Sequence, residues 1–194
     1  MNIIQIGCND GKDHVFDFVK ENIDNINKLI LIDANKNCID YCKNIQYKNI
    51  SKAEFLFCAI TNNNDEHVIL YTNDNDNFGR SPHASLSNQH VINHLHTEIA
   101  RYKVPAKNIN KLFEDLNFKT IDRLYIDVEG LDVDLINAIN FENFDIKFLL
   151  FESQHSDGVH SGGGPRLRSC VNRLIEFDYN VTYEGMNTIA IKNN

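Results

Sequence analysis

Ile3-Ile4-Gln5-Ile6-Gly7-Cys8-Asn9-Asp10-Gly11 opens the chain with a short apolar run, then two glycines enclosing three small or polar residues. An apolar-periodic segment follows at once, with Val15, Phe16, Phe18 and Val19. This order predicts a buried strand, a tight turn and a helix N-terminus. Glycine admits a positive φ and lets a ligand come close to the backbone. A helix start offers free N–H groups and the positive end of its dipole. Open α/β sheets bind nucleotide-like ligands at such a turn, beyond the carboxyl end of a strand.

The chain repeats this pattern outward from the first unit, which reads as strand 2–6, turn 7–11 and helix 12–24. Leu29-Ile30-Leu31-Ile32 is a continuous apolar run ending in Asp33. Continuous apolarity suggests a strand buried on both faces, as in a parallel sheet. Helix 35–46 follows, with Ile39, Cys42 and Ile45 at helical spacing. Phe55-Leu56-Phe57-Cys58-Ala59-Ile60 is the third strand, and His67–Tyr71 a short further one after the turn-forming 61–64. Residues 73–90 are polar and irregular, 91–100 is helix-compatible, and Val104-Pro105-Ala106 leads into helix 108–117. Leu124-Tyr125-Ile126 ends in Asp127-Val128-Glu129-Gly130 and precedes a helix carrying Val133, Leu135, Ile136 and Ile139. Phe148–Phe151 ends in Glu152-Ser153-Gln154-His155. A loop at 157–164, helix 165–177 with Pro165 at its first position, and strands 179–183 and 188–192 close the chain. The alternation predicts a doubly wound, mostly parallel α/β sheet with a hairpin-like antiparallel edge. No repeat or composition shift divides it, so 1–194 reads as a single domain, with a lid or acceptor-binding insertion at about 73–103.

A net charge of −8 and a pI near 5.4 argue against a duplex nucleic-acid partner and against an anionic membrane surface. They favour small or uncharged substrates. No stretch approaches the ~20 apolar residues of a membrane span, and no secretory leader opens the chain. A cytoplasmic location is the expectation. Cys8, Cys38, Cys42, Cys58 and Cys170 lack zinc spacing and read as buried or half-buried thiols in a reducing compartment.

In a parallel sheet the carboxyl ends of the strands share one edge, so Gly7–Gly11, Asp33, Cys58–Ile60, Asp127–Gly130 and Glu152–His155 form one rim. Asp33 follows the glycine turn by about 20 residues, the interval at which βαβ units present an acid to a ribose diol.

The motifs Gln5-Ile6-Gly7-Cys8-Asn9-Asp10-Gly11, Ile32-Asp33-Ala34-Asn35 and Ile126-Asp127-Val128-Glu129-Gly130-Leu131-Asp132, followed by Leu135-Ile136 and Phe151-Glu152, resemble the FkbM family of S-adenosylmethionine-dependent methyltransferases. The resemblance runs over nearly the whole chain, in order. Asp33-Ala34 stands where the family usually has Glu-Pro. The resemblance implies a Rossmann-like class I methyltransferase fold: a seven-stranded, mostly parallel sheet with an antiparallel C-terminal strand. It also implies S-adenosylmethionine as cofactor and transfer to an oxygen, commonly a sugar or polyketide hydroxyl. By that resemblance Gly7, Asn9, Asp10 and Gly11 surround the methionine part. Asp33, with Ala34 beside it, takes the ribose hydroxyls through charge-assisted hydrogen bonds. Cys58, Ala59 and Ile60 line the adenine, and Asp127 lies near the sulfonium end.

Methyl transfer is an in-line displacement that gains mostly from positioning. A base need only reach the hydroxyl proton. Asp127 and Glu129 are expected to orient acceptor and cofactor, with His155 or Glu152 as base. Glu129-Gly130 could instead only shape a turn, with Glu129 as helix cap, and Asp127, Glu129 and Asp132 could hold a divalent cation. His83, His90, His94 and His96 form a loose cluster, with His90 and His94 four apart. They read as solvated or pocket-lining, and no metal is assigned. Gly162-Gly163-Gly164 lacks the lysine-serine pair of a phosphate cradle and reads as a hinge. Arg166 and Arg168 could meet an anionic acceptor or simply be solvated. Three classes stay open: an O-methyltransferase acting on a sugar, glycan or similar small molecule; a catalytically silent cofactor-binding module; and a nicotinamide-dependent oxidoreductase. The last is disfavoured because Gly-x-x-x-Gly is not the three-glycine dinucleotide fingerprint.

Overall fold

A computed structural model describes residues 1–73, 83–95 and 99–193. In chain order the elements are β1 (Asn2–Ile6), α1 (His14–Glu21), β2 (Lys28–Asp33), α2 (Lys36–Tyr41), β3 (Ala53–Phe57), β4 (Ala59–Thr61), β5 (His67–Asn73), α3 (Asn88–Leu95) and β6 (Ile99–Asn108). They continue as α4 (Ile109–Asp115), β7 (Thr120–Ile121), β8 (Arg123–Ile126), α5 (Asp132–Ala138), β9 (Asp145–Ile146), β10 (Phe148–Glu152), α6 (Pro165–Glu176), β11 (Tyr179–Glu184) and β12 (Asn187–Lys192).

The apolar runs become the centre of a seven-stranded sheet of order β11-β12-β10-β8-β1-β2-β3. Strands β3, β2, β1, β8 and β10 are parallel neighbours. Both faces of β1 and β2 are buried, which explains their unbroken apolarity. Ile4, Ile6, Ile30 and Ile32 pack on one side against Phe113 of α4, Ile136 of α5 and Leu174 of α6. Ile3, Leu29 and Leu31 pack on the other against Val15 and Val19 of α1 and Ile39 of α2. The final hairpin does not simply add an edge. β12 inserts antiparallel between β10 and β11, so that β11 is the edge strand.

Two expectations change. The apolar run at 55–60 is not one strand: it breaks at Cys58, whose amide turns to the Asp33 carbonyl at 3.1 Å. β3 stays in the large sheet, and β4 leaves to pair with β6 in a separate sheet of order β4-β6-β5. The second change is β6 itself. The local pattern predicts helix for its first residues and a lead-in at Val104-Pro105-Ala106, but residues 99–105 pair antiparallel with β5, Pro105 opposite His67, and residues 106–108 pair in parallel with β4. Proline cannot donate to a ladder and so argues against a strand from sequence. The expected insertion at about 73–103 thus includes the end of β5, α3 and part of β6; residues 74–82 and 96–98 lie outside the described residues. The expected helix 35–46 is α2 continued by a π-helical turn over Cys42–Gln46, and the expected helix 12–24 is α1 followed by a short 3-10 turn over Ile23–Asn25. All five cysteines are free and buried. Among the described residues no helix is long and apolar enough to cross a membrane.

Candidate active site

The turn after β1 is built against its neighbours rather than around empty space. Gly7 has φ +80°, and a Cβ there would lie 1.7 Å from the Asp127 carbonyl oxygen at the end of β8. Gly11 has φ +68°, and its Cβ would meet the Tyr47 ring at 2.7 Å and the Cys42 sulfur at 3.0 Å. Both glycines therefore permit close packing of the turn. The first amides of α1 are not open to a ligand either, because Asp13 Oδ1 accepts from Val15 at 2.9 Å and Phe16 at 3.1 Å. Asp10 accepts the Lys12 amide at 3.1 Å and pairs with the Lys12 ammonium.

What faces the cavity is the next layer. Gly7, Asn9, Asp33, Ala34 and Asp127 line it, while Asp10 and Gly11 are not among its lining residues. Cys58, Ala59 and Ile60 form part of its apolar wall. Asn9 adopts φ +43°, which turns its amide onto Asp33 Oδ2 at 2.8 Å. Asp33 Oδ1 accepts from the Asn35 amide at 2.7 Å. Each carboxylate oxygen has a second lone pair, so Asp33 is oriented by backbone and still able to accept from a diol. Burial pushes Asp33 up to about 6, against the pull of those two amides. Burial, and then Glu129, push Asp127 up to about 7. An oriented acid, an apolar slot and a carboxylate at the far end fit a nucleoside that carries a positive centre.

Glu129 joins this cavity to a second group of residues. It lines the cavity and has φ +56°, sparsely populated for a residue with a side chain. Its carbonyl accepts the Ser85 hydroxyl at 2.8 Å, and its Oε2 lies 3.1 Å from His90 Nε2. Gly130, with φ +95°, leaves room for that ring: a Cβ there would be 2.9 Å from His90 Nδ1. Ser87 caps α3 by accepting the His90 amide at 3.2 Å, and Ser85 Oγ accepts the Ser87 amide at 3.1 Å. His94, one turn further, lies 4.8 Å from His90 and 4.8 Å from His155 between ring centres. His155 lies 5.0 Å from His90, and its Nε2 lies 3.5 Å from Glu152 Oε1. Burial first, then Asp127 and Glu129, push Glu152 up to about 9. Burial drives His155 down to about 4 and lowers His94 as well.

Four predicted positions thus converge here: Asp127, Glu129, Glu152 and His155. His90 and His94 belong with them, beyond the solvated or merely pocket-lining place that the sequence suggests for them. Their signal is the four-residue spacing behind the Ser85/Ser87 pair, which fixes the face α3 presents. His83 stacks on His94 at 4.8 Å, and His96 lies outside the described residues. Other candidates have structural partners. Asp132 is buried, with its oxygens accepting from Val128 at 3.1 Å and Gly130 at 3.2 Å. It, rather than Glu129, shapes the turn into α5, whose first residue lacks a side-chain cap. Arg166 pairs with Asp134 at 2.7 Å, and Arg168 donates to the Gly163 carbonyl at 2.6 Å. Asp157 accepts the Arg166 amide at 2.8 Å and would collide with a Cβ on Gly164 at 2.3 Å, so the glycine run is closed around a carboxylate.

A sheet of this order with β12 reversed, and an acid-rimmed cavity at the carboxyl ends of its strands, define a class I methyltransferase fold. Residues 5–174 match the Methyltransferase FkbM domain, and the chain belongs to that family. A crystal structure of methyltransferase FkbM from Methylobacillus flagellatus KT superposes with a TM-score of 0.55 at 10% identity, covering 98% of this chain and 43% of that one. A methyltransferase from Geobacter sulfurreducens superposes with a TM-score of 0.51 at 10% identity, covering 99% of this chain and 70% of that one. The chain therefore spans less than half the length of the Methylobacillus protein. No curated protein matches it in sequence.

Proposed function

We propose that the protein transfers a methyl group from S-adenosylmethionine to a hydroxyl oxygen of a sugar, glycan or similar small molecule. The observation that carries this reading is Glu129, which lines the cofactor cavity and also meets His90 at 3.1 Å. One strand end thus links a cofactor cavity to a wall of imidazoles.

Bound S-adenosylmethionine supplies an activated methyl carbon on a sulfonium. Asp33 takes the ribose diol on the two oxygens that Asn9 and Asn35 orient. Ala34, Cys58, Ala59 and Ile60 close on the base, excluding water from that end of the cavity. Asp127 stands toward the sulfonium end, where a negative charge suits the positive sulfur. Glu129 holds the acceptor hydroxyl by accepting its hydrogen bond, and Glu152, the carboxylate beside His155, receives its proton. Oxygen acceptors need such a proton sink, and a carboxylate within hydrogen-bond reach provides it. Alignment of the hydroxyl with the methyl supplies most of the rate. The sugar-like class follows the family resemblance, and the charge of −8 favours an uncharged acceptor over nucleic acid. Five free cysteines suit a reducing cytoplasm.

Titration with S-adenosylhomocysteine and NAD, followed by labelled-methyl transfer to a panel of sugars and lysates, tests the reading. Binding of S-adenosylhomocysteine, no binding of NAD and label on a hydroxyl compound are expected. Binding without any transfer would make the chain a silent cofactor-binding module, and NAD binding alone would favour an oxidoreductase.

A further inference from the structure

We propose that His90, His94, Glu129 and His155 form a binding site for a divalent transition metal, zinc in the first instance, at the border of the cofactor cavity. One donor atom from each of the four residues lies within 4.8 Å of those of the other three. A tetrahedral zinc with bonds of about 2.0–2.1 Å needs its donors roughly 3.3 Å apart. The His90–Glu129 pair is already at 3.1 Å, and the rest close by about 1.5 Å at most to reach that spacing. Imidazole and carboxylate donors suit zinc and its first-row neighbours, and disfavour magnesium and calcium, which take oxygen.

The surroundings support the same reading. His90 and His155 have side chains only 6% exposed, an unusual place for clustered imidazoles. His94 Nε2 is buried and has no hydrogen-bond partner among the described residues. A cation would give that lone pair a partner. His155 Nε2 lies 3.5 Å from Glu152 Oε1, and its Nδ1 accepts the His160 amide at 3.0 Å, so a metal bound through either nitrogen would replace that nitrogen's present neighbour. The ring of His83 stacks on His94 and holds its plane. The site draws on α3, the turn after β8 and the loop after β10, so the cation would tie together segments far apart in the chain. Of the four ligands Glu129 also lines the cavity, which puts the metal within reach of an acceptor oxygen entering a fifth position. That last role rests on the function proposed above; the metal site does not.

The test uses the full chain, stripped with chelator and titrated with Co²⁺ and then Zn²⁺. Saturation at one equivalent, visible absorption of a four- or five-coordinate Co²⁺ ion and displacement by Zn²⁺ are expected. His94→Ala should weaken Co²⁺ binding at least 100-fold while still binding S-adenosylhomocysteine, which shows that the fold survives. His94→Cys should restore binding with a new near-ultraviolet thiolate band. No saturable Co²⁺ uptake by the wild type, or unaltered uptake and spectrum in both variants, would overturn the site. Metal uptake with no methyl transfer to any acceptor would uphold the site and overturn the methyltransferase reading. Full transfer by metal-stripped protein would overturn the role in holding the acceptor.

Discussion

His90 Nε2 lies 3.1 Å from Glu129 Oε2, and this contact joins helix α3 to the turn at the end of the central strand β8. The Ser85 hydroxyl reinforces it on the Glu129 carbonyl at 2.8 Å. A helix outside the large sheet is thereby fixed at the rim where the cofactor cavity opens.

Glu129→Ala removes the carboxylate and leaves a buried imidazole without its partner. Such a loss costs about 1–3 kcal/mol of stability. The variant should still bind S-adenosylhomocysteine within a few-fold of wild type, because Asp33 and the apolar slot are untouched. Methyl transfer should fall by two orders of magnitude or more, since general acid–base and positioning groups contribute about 10²–10⁴-fold. Calorimetry and labelled transfer on the same sample check both halves. Full turnover in the folded variant would remove Glu129 from the mechanism.

Asp33→Asn replaces two acceptor oxygens by one, while the Asn9 and Asn35 amides still point there. Hydrogen bonds to a charged group are worth about 1.5–3 kcal/mol, so S-adenosylhomocysteine should bind roughly 10–100-fold more weakly. Titration calorimetry reads this directly. Unchanged affinity would mean that the ribose lies elsewhere.

The same residue predicts two pH effects of opposite sign. Burial raises the Asp33 carboxyl to about 6 in the folded protein, above its unfolded value of about 4. Its contribution to stability is fully present below about pH 4 and is lost as pH rises through about 6, a change on the order of 3 kcal/mol. Denaturant unfolding of wild type against Asp33→Asn should show wild type losing ground across that window. Cofactor binding needs the ionised form, so affinity for S-adenosylhomocysteine should instead rise about tenfold per pH unit up to about 6 and then level. The Asn variant should be flat.

Gly7→Ala places a Cβ 1.7 Å from the Asp127 carbonyl at a φ of +80°. Neither backbone can yield without parting β1 from β8, so stability should drop by more than about 3 kcal/mol. Thermal melting measures it. A Gly7→Ala variant as stable as wild type would show that the turn does not pack as described.

Much of this was legible in the sequence because burial on both faces writes itself as unbroken apolarity. Ile3–Ile6 and Leu29–Ile32 could be placed in a parallel sheet for that reason, and the acids at their ends followed. β6 was not legible: Pro105 contradicts a strand locally, and only pairing with β5 and β4 forms it. The break at Cys58 depends on the distant partner of β4. On the site side, Asp33, Asp127 and Glu129 could be read from strand ends. The packing role of Gly7 and Gly11 could not, because Asp127 and Tyr47, which fill their space, are remote in sequence. The approach of His90 and His94 to His155 also depends on the chain's return through β10.

The most direct test is transfer of a labelled methyl group from S-adenosylmethionine to sugars and glycans by the purified protein. The account predicts label in a methyl ether on an acceptor hydroxyl, lost in Glu129→Ala and weakened in Asp33→Asn at limiting cofactor. Tight binding of S-adenosylhomocysteine with label on no hydroxyl compound, or label on nitrogen instead of oxygen, would contradict it.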